Sequence, residues 1–238
     1  MNSQEVQAGI ISSWDQRWDR IYQQQERDKY PSENVIRFMA RNYYRVEDRK
    51  AVRVLDLGCG GGNNIWYLAR EGFSACGIEG SMVAVARAKK RLSAEGLVAN
   101  LQVADLVQIP YVDDCFDAVI DRGSIMHNKW NHIVQIFGEV YRILRPGGKL
   151  LSIMASTNCS EYSARGRFGG QEIERHTFEG FKDSTFEGLG IVHLFDEEEI
   201  KVLMRPFRIY RVGYEERIES MGWQESVKWA QWVVMAQK

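Results

Sequence analysis

At 238 residues the chain has room for one large domain, or one domain with a modest appendage. With 45% hydrophobic and 26% charged residues it has the composition of an ordinary globular protein. Its 31 basic and 32 acidic residues nearly cancel, so no global field draws it to nucleic acid or to an anionic membrane.

The opening "MNSQEVQAGIISSWDQRW" lacks the basic region and apolar core of a signal peptide. No apolar run approaches the roughly 18–20 residues of a bilayer span, so no membrane role is expected. Cys59, Cys76, Cys115 and Cys159 form no C-x-x-C pair and fit reduced thiols of a cytoplasmic protein, not a disulfide framework or zinc site. Residues 1–50 read as a helical cap segment rich in Trp, Tyr and Arg, and 51–238 as the main domain.

From residue 51 strand and helix signals alternate. "AVRVLDL" is a strand, "NIWYLAREG" a helix stopped at Gly72, and "SACGIE" a strand. "SMVAVARAKKRLSAEG" is a helix with Ser81 as N-cap and Gly96 as stop. "LQVAD" and "FDAVID" are short strands, "HIVQIFGEVYRIL" is a helix ending at Arg145–Gly148, and "KLLSIMA" is a fifth strand. Residues 156–194 show little periodicity and read as a lid or substrate-recognition insert. "DEEEIKVLM", capped by Asp196, precedes "FRIYRVGY" and "VKWAQWVVMAQ", which are placed to pair as a hairpin at the sheet edge. Strands separated by helices imply right-handed βαβ units and a doubly wound, mostly parallel sheet.

"VLDLGCGGGNN" puts a glycine-rich turn at the end of the first strand, where doubly wound sheets bind ligands. The dinucleotide fingerprint G-x-G-x-x-G fails, because Asn63 stands at its last glycine, and no Gly-Lys-Ser/Thr completes a phosphate loop. The loop reads instead D-x-G-x-G-x-G: Asp56, Gly58, Gly60 and Gly62. Glu79 ends the second strand about twenty residues on, where a carboxylate can take both ribose hydroxyls. Asp105 follows the third strand, where it can meet an exocyclic amine. The three acids match an ammonium, a ribose and an adenine, with no pyrophosphate.

On these residues the chain resembles the class I S-adenosylmethionine-dependent methyltransferases of the small-molecule type. The resemblance is carried by "VLDLGCGGGNNIWYLA", "GIEGS", "ADLVQIPYVDDCFDAVIDRGSIMH" and "LRPGGKLLSI", in order, across about residues 51–155. It implies a Rossmann-like, seven-stranded α/β sheet with an antiparallel C-terminal hairpin strand. The implied cofactor is S-adenosyl-L-methionine, the product S-adenosyl-L-homocysteine, and the acceptor a small molecule. By the same resemblance Asp56 and Gly58, Cys59, Gly60 and Gly62 lie along the methionine part. Glu79 holds the ribose, flanked by Gly80, Ser81 and Met82. Ala104, Asp105 and Leu106 meet adenine, and Asp121 and Arg122 lie under the methionine end. The N-terminal "WDQRWDRIY" is similar to openings that help close the cofactor site in such enzymes, which brings in Trp14, Trp18 and Tyr22. The same residues also read as a helix packed on the sheet domain.

A hydroxyl or ammonium acceptor needs a general base, whereas a thiolate or neutral amine does not. The candidates are His127, just beyond the fourth strand, His176 and Tyr162 in the insert, and His193 before the Asp196 cap. No carboxylate cluster calls for a metal, and no signature of amino-methylating DNA enzymes is present. A monomer or homodimer is expected. A binding protein that holds the cofactor or its product without turnover, and a nucleotide-dependent oxidoreductase, remain as alternatives.

Overall fold

The computed structural model describes residues 13–25, 29–221 and 225–238. Residues 1–12 and 26–28 of the expected cap segment lie outside the described residues. Within the cap, helix α1 (Arg17–Gln24) and helix α2 (Glu33–Tyr43) form. The alternating part then runs β1 (Arg53–Leu57), α3 (Asn63–Arg70), β2 (Ser74–Glu79), α4 (Met82–Ala94), β3 (Asn100–Val103), β4 (Phe116–Arg122), α5 (Trp130–Ile143) and β5 (Leu144–Ala155). The insert holds α6 (Ser160–Ser163), α7 (Arg165–Phe168), β6 (Gln171–Glu174), β7 (Thr177–Glu179) and β8 (Val192–His193). Helix α8 (Glu197–Leu203) and the hairpin β9 (Arg208–Met221) and β10 (Glu225–Gln237) complete the chain.

The helix boundaries follow local chemistry. The Ser81 hydroxyl accepts from the Ala84 N–H at 3.1 Å to start α4, and Gly96 takes the left-handed conformation (φ +64°) after its end. At α8, Asp196 and Glu199 form a reciprocal capping box. Helix α5 buries Ile133, Ile136, Phe137, Val140 and Ile143, the 3–4 spacing that aims one stripe at the sheet.

One seven-stranded sheet has the order β3-β2-β1-β4-β5-β10-β9. The first five strands are parallel, and β10 enters antiparallel between β5 and β9. Period-2 alternation divides its side chains between two cores. Leu55, Leu57, Val119, Leu150 and Val234 face α5, α8 and the insert. Val54, Ala118, Ile120, Leu151 and Val233 face α2, α3 and α4. Because β1 has β2 on one side and β4 on the other, the chain reverses direction there, and a crevice opens beyond the ends of β1 and β4. Among the described residues, no helix is long and apolar enough to cross a membrane.

Two expectations change. The hairpin strands are longer than the segments 207–214 and 227–237, because pairing with β5 and with each other extends both; the tip at 222–224 lies outside the described residues. The insert is not irregular. β6, β7 and β8 make a small antiparallel sheet over buried Phe168, Phe178, Phe181 and Phe186, which are continuous with the α5 core.

This small sheet is locked to α8 by one carboxylate. Glu199 accepts from His176 Nδ1 at 3.1 Å and from the Asp196 N–H at 3.1 Å, and His193 Nε2 lies 3.4 Å away. His193 Nδ1 meets the Thr177 hydroxyl at 2.7 Å. Burial raises the Glu199 pKa, but the nearby His193 ring and the bonds from His176 and the Asp196 amide outweigh it and hold the carboxyl at about 2. Glu199→Gln is therefore expected to cost about 2 kcal/mol or more in denaturant unfolding. The depressed pKa means that the carboxylate's contribution is present above the ordinary carboxyl range and is lost as pH falls toward about 2. An unchanged unfolding midpoint at pH 7 would remove Glu199 from this role.

Candidate functional site

The turn after β1 is built by close approach. Gly58 and Gly60 take positive φ, +59° and +51°. A Cβ at Gly58 would collide with the Ser124 hydroxyl, and one at Gly60 with the Tyr22 hydroxyl. On its underside, Cys59 tucks against Gly77 of β2, where an added Cβ would sit 2.8 Å from the Cys59 sulfur. Burial pushes the Cys59 thiol well up, so it is an inert small side chain under the turn.

Three carboxylates converge on one cavity of about 680 Å³. Asp56 is 1% exposed; one oxygen accepts from the Asn64 amide at 2.9 Å, and the other has no hydrogen-bond partner among the described residues. Burial raises its pKa to about 7, with Asp121 and Glu79 adding to the rise and Asn64 opposing it. Glu79 accepts from the Gly60 N–H at 3.0 Å and the Ser81 N–H at 2.9 Å, and burial raises its pKa too. A carboxylate has about four acceptor sites, so Glu79 keeps capacity for a diol. Asp105 accepts from the Ser13 N–H at 2.7 Å, the Val107 N–H at 3.1 Å and the Ser13 hydroxyl.

The N-terminal segment lies across all of these. Trp14 packs on Gly80, leaving no space there for a Cβ. The Ser81 hydroxyl donates to Asp19 at 2.5 Å. Trp18 meets His127 edge to face at 4.9 Å, and Tyr22 covers Gly60. Packing on the sheet domain and roofing the cavity are thus one arrangement.

Of the residues singled out from the sequence, Trp14, Trp18, Tyr22, Asp56, Gly58, Cys59, Gly60, Glu79, Gly80, Ala104, Asp105, Leu106, Arg122 and His127 line this cavity. Four expected cofactor residues are placed elsewhere. Gly62 packs on Ala88 as the N-cap of α3. Ser81 is spent capping α4, and Met82 is exposed at the rim of a shallow neighbouring pocket. Asp121 is fully buried and holds the loop after β4, accepting from Ser124 N–H (3.0 Å), Ile125 N–H (3.2 Å) and the Ser152 hydroxyl (2.6 Å). Burial raises its pKa to about 6.

Among the candidate bases, His176, His193 and Tyr162 do not line the cavity. Both histidines sit in the Glu199 lock, and Tyr162 packs edge-on against His176 at 5.4 Å. His176, Asp196 and Glu199 bring possible metal-ligating atoms within 4.8 Å of one another, but Arg175 holds Asp196 and the capping box uses both acids. His127 is different. Its Nδ1 lies 3.0 Å from the Ile191 carbonyl oxygen. A carbonyl only accepts, so Nδ1 carries the proton and the ring's lone pair is on Nε2. Sequence reasoning missed Asn64 and Asn128, buried residues on the cavity wall whose side-chain oxygens have no hydrogen-bond partner among the described residues. The doubled Asn in "GGGNN" was the available signal for the first.

The family model for a methyltransferase domain matches residues 54–148. A methyltransferase of Streptomyces halstedii, GfsG, is 35% identical over 111 residues, 45% of this chain and 39% of that protein. A SAM-dependent methyltransferase from Methanosarcina mazei superposes with TM-score 0.66 at 26% identity, covering 82% of this chain and 94% of the other. A Burkholderia thailandensis 1,6-didemethyltoxoflavin N1-methyltransferase, solved with its substrate and S-adenosylhomocysteine, shares the fold at 15% identity (TM-score 0.59; 87% of this chain, 77% of that one). The aligned part of the chain spans about two-fifths to three-fifths of the first curated relatives it matches. The sheet order and the glycine turn are those of a cofactor-binding methyltransferase fold. Residues 54–148 thus match a methyltransferase domain, and the chain is similar in sequence and fold to the S-adenosylmethionine-dependent methyltransferases, whose cofactor is S-adenosylmethionine.

The residues present fit that cofactor: a buried, unpartnered carboxylate oxygen suits an ammonium, and Glu79 has capacity for a ribose diol. The Asp56 pKa of about 7 gives a pH dependence. A cationic ligand requires the ionised form, so S-adenosylmethionine is expected to bind more tightly at pH 8 than at pH 6. At pH 6 binding should release a proton, visible in calorimetry as a heat that changes with buffer ionisation enthalpy. Asp56→Asn should remove both effects. Equal affinity and no proton release at the two pH values would exclude Asp56 as the ammonium partner.

Proposed function

We propose that this chain transfers the methyl group of S-adenosylmethionine to a small-molecule acceptor bound beside His127. The observation that carries the reading is the single cavity in which Asp56, Glu79, Asp105 and His127 meet. Asp56 with Asn64 would hold the ammonium, the 58–61 backbone the methionine chain, Glu79 the ribose, and Asp105 the adenine amine once Ser13 gives way. The cofactor, when bound, supplies an electrophilic methyl on a sulfonium, and its positive charge is lost on transfer.

The protein's part is alignment, exclusion of water and removal of the acceptor's proton. Trp14, Trp18 and Tyr22 supply the roof, and aromatic faces suit a sulfonium. His127 is the general base: Nδ1 is pinned by the Ile191 carbonyl, so Nε2 takes a proton from a hydroxyl or ammonium acceptor. Tocopherol O-methyltransferase of Arabidopsis thaliana and phosphoethanolamine N-methyltransferase of Zea mays, similar over 45% and 63% of the chain, methylate small molecules and support this acceptor class.

Incubation of metabolite extracts with methyl-labelled cofactor is expected to label one small product and to form S-adenosylhomocysteine. For that acceptor, His127→Asn should lower kcat by about 10²-fold or more, with cofactor affinity unchanged. Cofactor binding with no transfer to any extract component would favour the binding-protein reading instead. Labelling that survives His127→Asn at full rate would remove the base assignment alone.

A further inference from the structure

Strand β9 closes the seven-stranded sheet, and among the described residues no strand lies beyond it. It is 14 residues long, and Val212, Tyr214 and Ile218 on it are 51%, 40% and 63% exposed. A long edge with apolar side chains is a template for pairing unless something covers it. Its far half has no third strand beside it, although the Ser156 N–H donates to the Ala230 carbonyl and the Lys228 N–H to the Ser160 hydroxyl. β10 pairs with β5 only from Gln231 onward, so residues 225–230 and their β9 partners form a two-stranded ribbon. Such a ribbon is marginal without a third strand.

Gly213 sits at the middle of this edge, opposite Val233 of β10. Its φ is not positive, and a Cβ there would meet only ordinary contacts, 3.5 Å from Val233. Nothing within the chain requires glycine, although glycine weakens a strand interior and often marks the close approach of another backbone. The charges are arranged about the same residue. Arg208 and Arg211 lie before Gly213, and Glu215, Glu216 and Glu219 after it. Arg217 is the exception and is paired within the strand to Glu219 at 2.8 Å. A second strand of this sequence laid antiparallel about Gly213 sets Arg211 against Glu215, whereas a parallel one in register meets like with like.

We propose that β9 is an interface between two copies of this chain, which pair edge to edge and antiparallel about a two-fold axis at Gly213. A two-fold pairing must keep each side chain on its own face, so residues an even number apart oppose one another. With Gly213 on the axis, Arg211 opposes the partner's Glu215 and Val212 opposes the partner's Tyr214, each contact occurring twice. The missing side chain at the axis lets the two backbones and the flanking ion pairs close up. Glu215 is held on that face by Asn34 at 3.0 Å and Gln231 at 2.6 Å, with acceptor capacity remaining. The start of the partner's β9 supplies the third strand that the ribbon lacks.

Sedimentation equilibrium of the full chain at low salt tests the pairing. The wild type is expected at twice the chain mass. Arg211→Glu and Glu215→Arg should each sediment as single chains, and an equimolar mixture of the two variants should return to the double mass. Gly213→Val should give a single-chain mass with its circular-dichroism melt retained, because a β-branched residue suits a strand and its own chain has room for it. A wild type that sediments as one chain at every concentration overturns the proposal. So does a double mass that survives both Arg211→Glu and Gly213→Val, and a mixture that stays single overturns the register.

Discussion

Four strand ends meet at one cavity because side chains from neighbouring elements pack there directly against glycine backbone. Gly77 admits Cys59 beneath the turn after β1, Gly58 admits the Ser124 hydroxyl beside it, and Gly60 admits Tyr22 above it. Each contact ties the turn to a different element: β2, the loop after β4, and helix α1. A side chain at any of the three would push one wall outward. The turn's amides and the acids Asp56 and Glu79 are brought together by that tight packing, since the Gly60 N–H donates directly to Glu79.

The same packing creates an electrostatic problem that a ligand resolves. Asp56 and Asp121 are both fully buried, and burial raises both pKa values, to about 7 and about 6. Asp121 is compensated by three donors that shape the loop carrying His127. Among the described residues Asp56 has one donor and one bare oxygen. An uncompensated buried acceptor is costly, and natural proteins keep such costs where a ligand will offset them. A raised carboxyl pKa stabilises the fold below the ordinary carboxyl range and loses that advantage as pH rises through the folded value. The ligand-free protein therefore carries this cost most fully above pH 7, where a cationic ligand offsets the most.

The parallel half of the fold was legible because its signals are local: period-2 and period-3.6 apolar patterns, Ser81 and Asp196 as caps, glycines as stops. The acids were legible because a doubly wound sheet places strand ends predictably. The insert was not. Its core is four phenylalanines drawn from α7, the short strand β7 and loops, and its lock joins residues 176, 193 and 199, none of which has a periodic neighbour. His176 and His193 looked like bases because histidine type was visible and burial was not. Asp121 looked like a ligand contact for the same reason. What separated His127 from the others was a hydrogen bond across 64 residues, which no local pattern encodes.

That hydrogen bond also links two parts of the molecule that the sequence left unconnected. His127 is held on one side by the ring of Trp18 from α1 and on another by the Ile191 carbonyl from the insert. Ile191 immediately precedes β8, and β8 carries His193 into the Glu199 lock. The chain of contacts therefore runs from the α8 capping box through the small sheet to the tautomer of one imidazole. The N-terminal roof fixes the orientation of the same ring from above. Docking of the insert and closure of the roof thus converge on one ring, that of His127. The insert's histidines reach that ring only through the backbone they anchor.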